Sequence, residues 1–221
     1  MIRQGTPEWL RQRIGYFTSS EVGKLLVKAK APDKIFGATA EAYILEVAAE
    51  RDLDARFLDI ESGAFGLYLE RVEAKSRAMR WGNEMEETAR KAYAERTGYE
   101  VKEAEFIVCN NYYGDSSDGT CRDRSTGEIV GVLEIKCPAP ATHKAYRQLA
   151  TPEGLKRANL GYYCQCQMHL VAHGVEWCDF VSFDPMCREP IHVLRIPRDD
   201  KFIEEITTRI ELANQYIESL Q

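Results

Sequence analysis

No apolar run in these 221 residues is long enough to cross a bilayer as a helix, which argues against a helical membrane protein. The opening residues Met1-Ile2-Arg3-Gln4-Gly5 lack a signal-peptide hydrophobic region, so the expected location is the cytoplasm. No CxxC pair occurs. The seven cysteines (Cys109, Cys121, Cys137, Cys164, Cys166, Cys178, Cys187) are odd in number and sit in apolar stretches, as reduced and mostly buried thiols do. Cys164-Gln165-Cys166 comes nearest to a thiolate motif but lacks the second pair a structural zinc site takes. There is no internal repeat and no low-complexity linker, and 44% hydrophobic content suffices for one core, so a single domain over 1–221 is expected.

A positive balance is also missing, since the net charge is −6. That weighs against binding nucleic acid through bulk charge. The distribution is uneven, however: residues 1–40 carry seven Lys/Arg against three Asp/Glu, and 136–160 carry five against one. Residues 41–73 carry three against nine and 199–221 two against six. A basic groove on an acidic body is compatible with this segregation.

What is present is Asp118, followed after fifteen intervening residues by Glu134-Ile135-Lys136. Two carboxylates and a lysine can hold a hard divalent cation and set an ammonium beside an attacking water, the equipment for phosphodiester hydrolysis. In isolation such a spacing is more often an ordinary hairpin with charges on its wet face. Residues 128–136 alternate, putting Val130, Val132, Glu134 and Lys136 on one strand face and Leu133 and Ile135 on the other. Gly127 suits the left-handed position of a three-residue loop. A loop centred on Thr126 would pair residues whose numbers sum to 252 and set Asp118 opposite Glu134, Cβ atoms roughly 5 Å apart. Two like charges at that separation repel unless a cation lies between them.

The remaining pattern is α/β. A helix from Glu8 to about Leu26 is broken around 15–20, with Ser19 or Ser20 as cap for a piece starting at Glu21. Residues 39–51 and 82–97 read as helices, the second stopped by Gly98. Strands are expected near 105–110, 116–122 and 128–136. A helix from Thr142, a helix from Tyr162 to His173 stopped by Gly174, strands at 176–183 and 191–196, and an amphipathic helix over 200–220 follow. Strands flanked by helices in this order make a mixed α/β sheet.

Four blocks then occur in an order that resembles the lambda exonuclease family of phage and prophage recombination nucleases, within the PD-(D/E)xK, restriction-endonuclease-like superfamily. They are Glu8-Trp9-Leu10-Arg11-Gln12-Arg13-Ile14-Gly15 with Thr18-Ser19-Ser20-Glu21; Trp81-Gly82-Asn83-Glu84-Met85-Glu86; Asp118…Glu134-Ile135-Lys136-Cys137-Pro138; and Gln165-Cys166-Gln167. Ser117 stands where the superfamily label has proline. The resemblance implies a restriction-endonuclease-like mixed central sheet flanked by helices.

Under this resemblance Asp118, Glu134 and the Ile135 carbonyl would bind Mg²⁺, with Mn²⁺ as substitute, and Lys136 would orient or deprotonate the attacking water. Glu86 would join the metal site directly or through water. Arg13 and Ser20 match positions that hold a terminal 5′-phosphate, with Ser116 or Ser117 joining them. Gln165 and Gln167 point about 200° apart on a helix, and Gln167 is taken as the phosphate or scissile-strand contact. His169 and His173, four apart on that helix, read as surface or satisfied core residues rather than metal ligands. Met79 matches an apolar wedge that unstacks the duplex end. Lys24, Lys28, Lys30 and Lys34 are candidate duplex contacts.

The implied activity is Mg²⁺-dependent 5′→3′ digestion of linear double-stranded DNA from a 5′-phosphorylated end, releasing 5′-mononucleotides and leaving 3′ single-stranded tails. A ring-shaped homotrimer, a single-strand-annealing partner and, for a phage-encoded chain, the bacterial host cytoplasm are implied as well. The alternatives are another PD-(D/E)xK endonuclease or RecB-like nuclease, and a DNA-end-binding protein without catalysis.

Overall fold

The computed structural model describes residues 2, 4–31, 33–72, 77–110 and 112–220. In chain order the described elements are α1 (Pro7–Arg13), β1 (Phe17–Thr18), α2 (Ala38–Arg51), α3 (Ala64–Val72), α4 (Arg77–Thr97), β2 (Glu100–Lys102), β3 (Ile107–Val108), β4 (Tyr113–Asp115), β5 (Gly119–Arg122), β6 (Ile129–Lys136), α5 (Pro140–Tyr146), α6 (Pro152–Ala158), α7 (Leu160–His173), β7 (Trp177–Phe183), β8 (Ile191–Pro197) and α8 (Asp200–Glu218). Short 3-10 turns lie at Val22–Leu26 and Ala55–Leu58. The class is mixed α/β, as expected. None of the described helices is long and apolar enough to cross a membrane.

The chain forms two compact units, each assembled from separated segments: Met1–Ala74 with Glu105–Ser116 and Lys201–Gln221, and Lys75–Ala104 with Ser117–Asp200. In the first, β1 pairs parallel with β4, and β3 pairs antiparallel with β4. α2 buries Ala40, Tyr43, Ile44 and Val47. Tyr43 meets the Phe17 ring edge-on and its hydroxyl accepts from the Thr18 N–H at 2.9 Å, tying α2 to β1. α8 is fastened by Arg209, whose guanidinium donates to the carbonyls of Leu25 and Ile35. The 3-10 turn at Val22–Leu26 has Glu21 as its cap residue, without a side-chain hydrogen bond. Neither Ser19 nor Ser20 caps it, because both hydroxyls are used elsewhere: Ser19 donates to Asp115 and Ser20 meets Arg13.

The second unit is built on the sheet β2-β5-β6-β7-β8. β6 and β7 pair parallel, and the other neighbours pair antiparallel. A parallel pair needs a long crossover, and α5, α6 and α7 supply it. β7 is buried from Cys178 to Phe183, the near-continuous burial of a strand covered on both faces. Leu133 and Ile135 of β6 pack with Ala89 and Tyr93 of α4, while Glu134, one residue out of phase, faces α7. α7 ends as the sequence indicates, with Gly174 left-handed at φ 63° and its N–H on the Leu170 carbonyl.

The hairpin register is the predicted one by an unpredicted route. Gly119↔Leu133, Thr120↔Val132 and Cys121↔Gly131 all sum to 252, as the sequence implied. The loop differs: the Asp123 N–H bonds the Glu128 carbonyl, and the loop they close holds four residues with Gly127 at φ 74°. Arg122 pairs with Ile129, and a bulge between Cys121 and Arg122 restores the register.

Gly131 lies against the Trp177 ring so closely that a Cβ there would overlap the ring carbons. Trp177 is itself held in place, with the Arg195 guanidinium over its ring at 3.7 Å from the centroid and bonded twice at 2.9 Å to the buried Asp179, and with Tyr99 5.5 Å away. Gly131→Ala is expected to destabilise the protein by about 1–3 kcal/mol through overpacking, read as a lower urea midpoint at unchanged slope.

Candidate active site

The second unit gathers its ionisable side chains around the end of β6. Glu134 is fully buried, and its Oε2 accepts from His169 Nε2 at 2.7 Å. Its Oε1 has no hydrogen bond of acceptable angle and instead meets the Lys136 ammonium as an ion pair. Lys136, on the same strand face, also lies 4.9 Å from the centroid of the Tyr162 ring of α7. One face of α7 thus covers both charges of the Glu134-x-Lys136 motif.

Asp118 stands one residue beyond the last ladder pair. Its N–H bonds the Leu133 carbonyl at 3.0 Å, and its Oδ2 accepts from the Ile135 N–H at 2.6 Å. The side chain therefore folds back over β6 rather than standing squarely opposite Glu134. From α4 comes Glu86, paired with Arg90 one turn on. Arg90 NH1 also donates to the Asp118 carbonyl at 3.0 Å, linking the helix to the strand end, and its NH2 approaches Glu103 at 3.8 Å.

Charge decides the character of this cluster. Burial, then the Glu134 and Glu86 carboxylates, push the Asp118 carboxyl well above its ordinary range, against the pull of Lys136 and the Ile135 N–H. Burial, with Glu103 and Glu134, raises Glu86 despite Arg90. Burial would raise Glu134 too, but the Lys136 ammonium and the His169 hydrogen bond outweigh it and hold that carboxyl below its ordinary value. Burial would lower Lys136, yet Glu134 and Asp118 override it and keep the ammonium protonated.

Among the described residues no three His, Cys, Asp or Glu side chains converge as a ready-made metal cage. The donor set nevertheless fits a hard divalent cation. All its side-chain donors are oxygens, Glu134 Oε1 is buried with the Lys136 ammonium against it, and Asp118 carries a repulsion that added positive charge would relieve.

The predicted residues divide between several places. Asp118, Glu134, Ile135, Lys136 and Glu86 form this cluster. Gln167 does not join it: fully buried, it donates to the Pro197 carbonyl at 2.8 Å and accepts from the Asp199 N–H at 2.9 Å, so its amide is spent on the end of β8. The choice between the two glutamines is corrected accordingly. Gln165 sits three residues after Tyr162 and four before His169, on the stripe of α7 that meets Lys136 and Glu134. Met79 lies in the first turns of α4, 53% exposed. His169 is a buried, hydrogen-bonded core residue, as one of the two sequence readings had it, and the side chain it meets is Glu134 of the acidic cluster. An i, i+7 comparison of α7 with its aromatic start would have placed it on the Lys136 face.

In the first unit, Arg13, Ser20 and Ser116 do come together. Arg13 NH2 reaches Ser20 Oγ at 3.3 Å and Thr18 Oγ1 at 3.5 Å, and its guanidinium lies 4.2 Å from the Trp9 ring centroid. Trp9 Nε1 in turn donates to Ser116 Oγ at 3.1 Å. Ser117 goes the other way, its hydroxyl 3.0 Å from His173 Nε2 in the second unit. Arg13 forms no ion pair with any described carboxylate, and its contacts are hydroxyls and an aromatic face. Such a guanidinium keeps its bidentate capacity for an incoming anion.

The chain is similar to several known proteins. A family model described as a YqaJ-like viral recombinase domain matches residues 8–176. The crystal structure of an alkaline exonuclease, LHK-Exo, from Laribacter hongkongensis is similar at 29% identity and TM-score 0.72, over 97% of this chain and 93% of that one. The same exonuclease in complex with dAMP aligns at 30% identity, again with TM-score 0.72 and coverage of 97% and 93%. A phage-related exonuclease from Haemophilus somnus shares the fold at 19% identity and TM-score 0.65, over 93% and 94% of the two chains. No curated protein sequence matches the chain.

The raised Asp118 has a definite stability signature. An acid that binds its proton more tightly when folded costs nothing while protonated in both states. The penalty appears as pH rises through the unfolded value, ordinarily about 3.9, and is complete above the folded one. Asp118→Asn, which keeps an acceptor for the Ile135 N–H, is expected to leave the melting temperature nearly unchanged at pH 3. It should raise that temperature increasingly toward neutral pH in cation-free buffer. A melting series in EDTA checks this, and a flat difference across pH would contradict it.

Proposed function

The chain belongs to the YqaJ-like viral recombinase family and is a nuclease of the phage recombination type, and from that premise we propose that it digests linear duplex DNA in the 5′→3′ direction with Mg²⁺, from a 5′-phosphorylated end. The products in this reading are 5′-mononucleotides and a 3′ single-stranded tail ready for strand annealing. The observation that carries it is the Asp118–Glu134–Lys136 cluster around the fully buried Glu134, where acid oxygens and an ammonium share one strand end.

Asp118, Glu134, the Ile135 carbonyl and, directly or through water, Glu86 would hold Mg²⁺ or Mn²⁺, which when bound supplies Lewis acidity at the scissile phosphate. Lys136, its ammonium seated on Glu134, orients the attacking water and offsets negative charge that builds on the phosphoryl oxygens. Arg90 fixes Glu86 and the Asp118 carbonyl in one arrangement, so that α4 and β5 present their oxygens together. Gln165, on the same helix stripe as His169, offers an amide to the scissile strand in the role first assigned to Gln167.

Arg13, with Thr18 and Ser20, would take the terminal 5′-phosphate, the guanidinium supplying paired donors and the hydroxyls completing the oxygen shell. Met79 would part the last base pairs as an exposed apolar wedge at the start of α4. The working form in this reading is a ring-shaped homotrimer enclosing the duplex, delivering tails to a single-strand-annealing protein.

Strand-resolved digestion of end-labelled linear duplex tests the reading in one assay. Loss of label from a 5′-phosphorylated strand as mononucleotide, with covalently closed circles left intact, is expected. Cutting of the circle would identify an endonuclease instead. Lys136→Ala should slow digestion by about 10²–10⁴-fold at saturating Mg²⁺. If neither this variant nor the unmodified chain digests the duplex, a DNA-end-binding protein is the better description. Arg13→Ala should erase the preference for 5′-phosphorylated over 5′-hydroxyl ends, and an unchanged preference removes Arg13 from the phosphate pocket.

A further inference from the structure

His169 and His173 lie one helical turn apart on α7, and each reaches a different carboxylate-bearing segment of the second unit. His169 Nε2 stands 2.7 Å from Glu134 Oε2, with both side chains at 0% exposure. His173 Nε2 stands 3.0 Å from Ser117 Oγ, and Ser117, fully buried, immediately precedes Asp118. Glu134 lies on β6 and Asp118 immediately precedes β5, its antiparallel neighbour, so their spacing depends on two separate backbones. A single rigid helix contacting both is a means of setting it.

From this geometry we infer that His169 and His173 are positioning residues that fix Glu134 and Asp118 as cation ligands, α7 acting as a two-point clamp on the acidic cluster. The inference rests on the proposed metal-dependent reading. Neither histidine is a ligand in it.

The first contact selects an oxygen. An ionised carboxylate only accepts, so Nε2 of His169 carries the proton in this bond. Holding Oε2 fixes the carboxylate plane and leaves Oε1 on the Lys136 side, buried and without a hydrogen bond. Without His169, a glutamate with three side-chain torsions could turn either oxygen to the cation or swing off it. Outer partners of this kind commonly govern affinity for the metal as strongly as they govern orientation.

The second contact acts through backbone. The Ser117 side chain has little freedom once its hydroxyl is bonded, and the next residue places its N–H on Leu133 and its carboxylate on the Ile135 N–H. His173 therefore steadies the peptide from which Asp118 departs. Helical spacing explains why one element can serve both: residues four apart lie on one face, about 6 Å apart along the axis.

The test uses the full-length protein and Mn²⁺ as probe, with calorimetric titration to read the dissociation constant and a melting curve to read packing. His169→Leu should weaken Mn²⁺ binding about 10–100-fold and raise the Mg²⁺ concentration for half-maximal digestion by the same factor, leaving KM for DNA ends unchanged. His169→Gln, which keeps an N–H donor, should recover most of that affinity and serves also if the leucine variant does not fold. His173→Ala and Ser117→Ala should each give a smaller loss of the same kind, and the double variant no more than either alone. Unchanged Mn²⁺ affinity in both His169 variants, whatever the melting temperature, overturns the inference and leaves the metal-dependent reading standing. No Mn²⁺ binding by the unmodified protein overturns both.

Discussion

Everything in the second unit is arranged around one electrostatic problem, a fully buried glutamate with a second, half-buried carboxylate beside it. Taking such charges from water is costly unless they are paired and hydrogen-bonded. Glu134 is answered by an ammonium on one oxygen and an imidazole N–H on the other. Asp118 is answered only by a backbone N–H and by Lys136 at longer range, so it keeps a repulsion that the fold does not cancel. A cluster left short of positive charge is a poor structural feature, and that shortfall is what the proposed divalent cation would relieve. The flanking helices can be understood as the walls needed to keep water from solving the problem first.

The sheet architecture follows from the same demand. Glu134 and Ile135 point to opposite faces of β6, so one strand feeds both the charged cluster under α7 and the apolar cluster under α4. α4 reciprocates, giving Ala89 and Tyr93 to the apolar side and Glu86 with Arg90 to the strand end. The first unit solves an unrelated problem in a simpler way. Its Arg13 is held by hydroxyls and the face of Trp9 rather than by an acid, which preserves its charge for something else.

Much of this was readable beforehand, and the limits have physical causes. Alternation along 128–136 and the position of Gly127 were enough to pair Asp118's strand with Glu134's. The register came out right although the loop has four residues, because a bulge compensated, and bulges leave no clear mark in composition. The long helices α2, α4, α7 and α8 carried enough turns for periodicity to show. β1 and β2, of two and three residues, are too short for alternation to register, and α6 was missed although Thr151-Pro152 is an ordinary helix start. On α7 the failure was rotational. Eight successive buried residues, from Tyr163 to Leu170, erase the polar and apolar faces that would tell Gln165 from Gln167. Only a fixed point, Tyr162 on Lys136 or His169 on Glu134, settles the helix's rotation. Arg13 and Ser20 needed a family resemblance to be noticed, since an arginine on a short helix and a serine in a turn are individually unremarkable.

The parallel pairing of β6 with β7 has a temporal side. A chain growing from its N-terminus completes the hairpin with Asp118, Glu134 and Lys136 before α7 exists, and β6 has no parallel neighbour until the crossover has been made and folded back. Pairings between distant segments form late, because the intervening loop must be closed before they yield anything. The acidic residues are thus synthesised early but enclosed last. A chain that has not yet made α7 lacks the His169 and Tyr162 contacts that cover Glu134 and Lys136 in the finished fold.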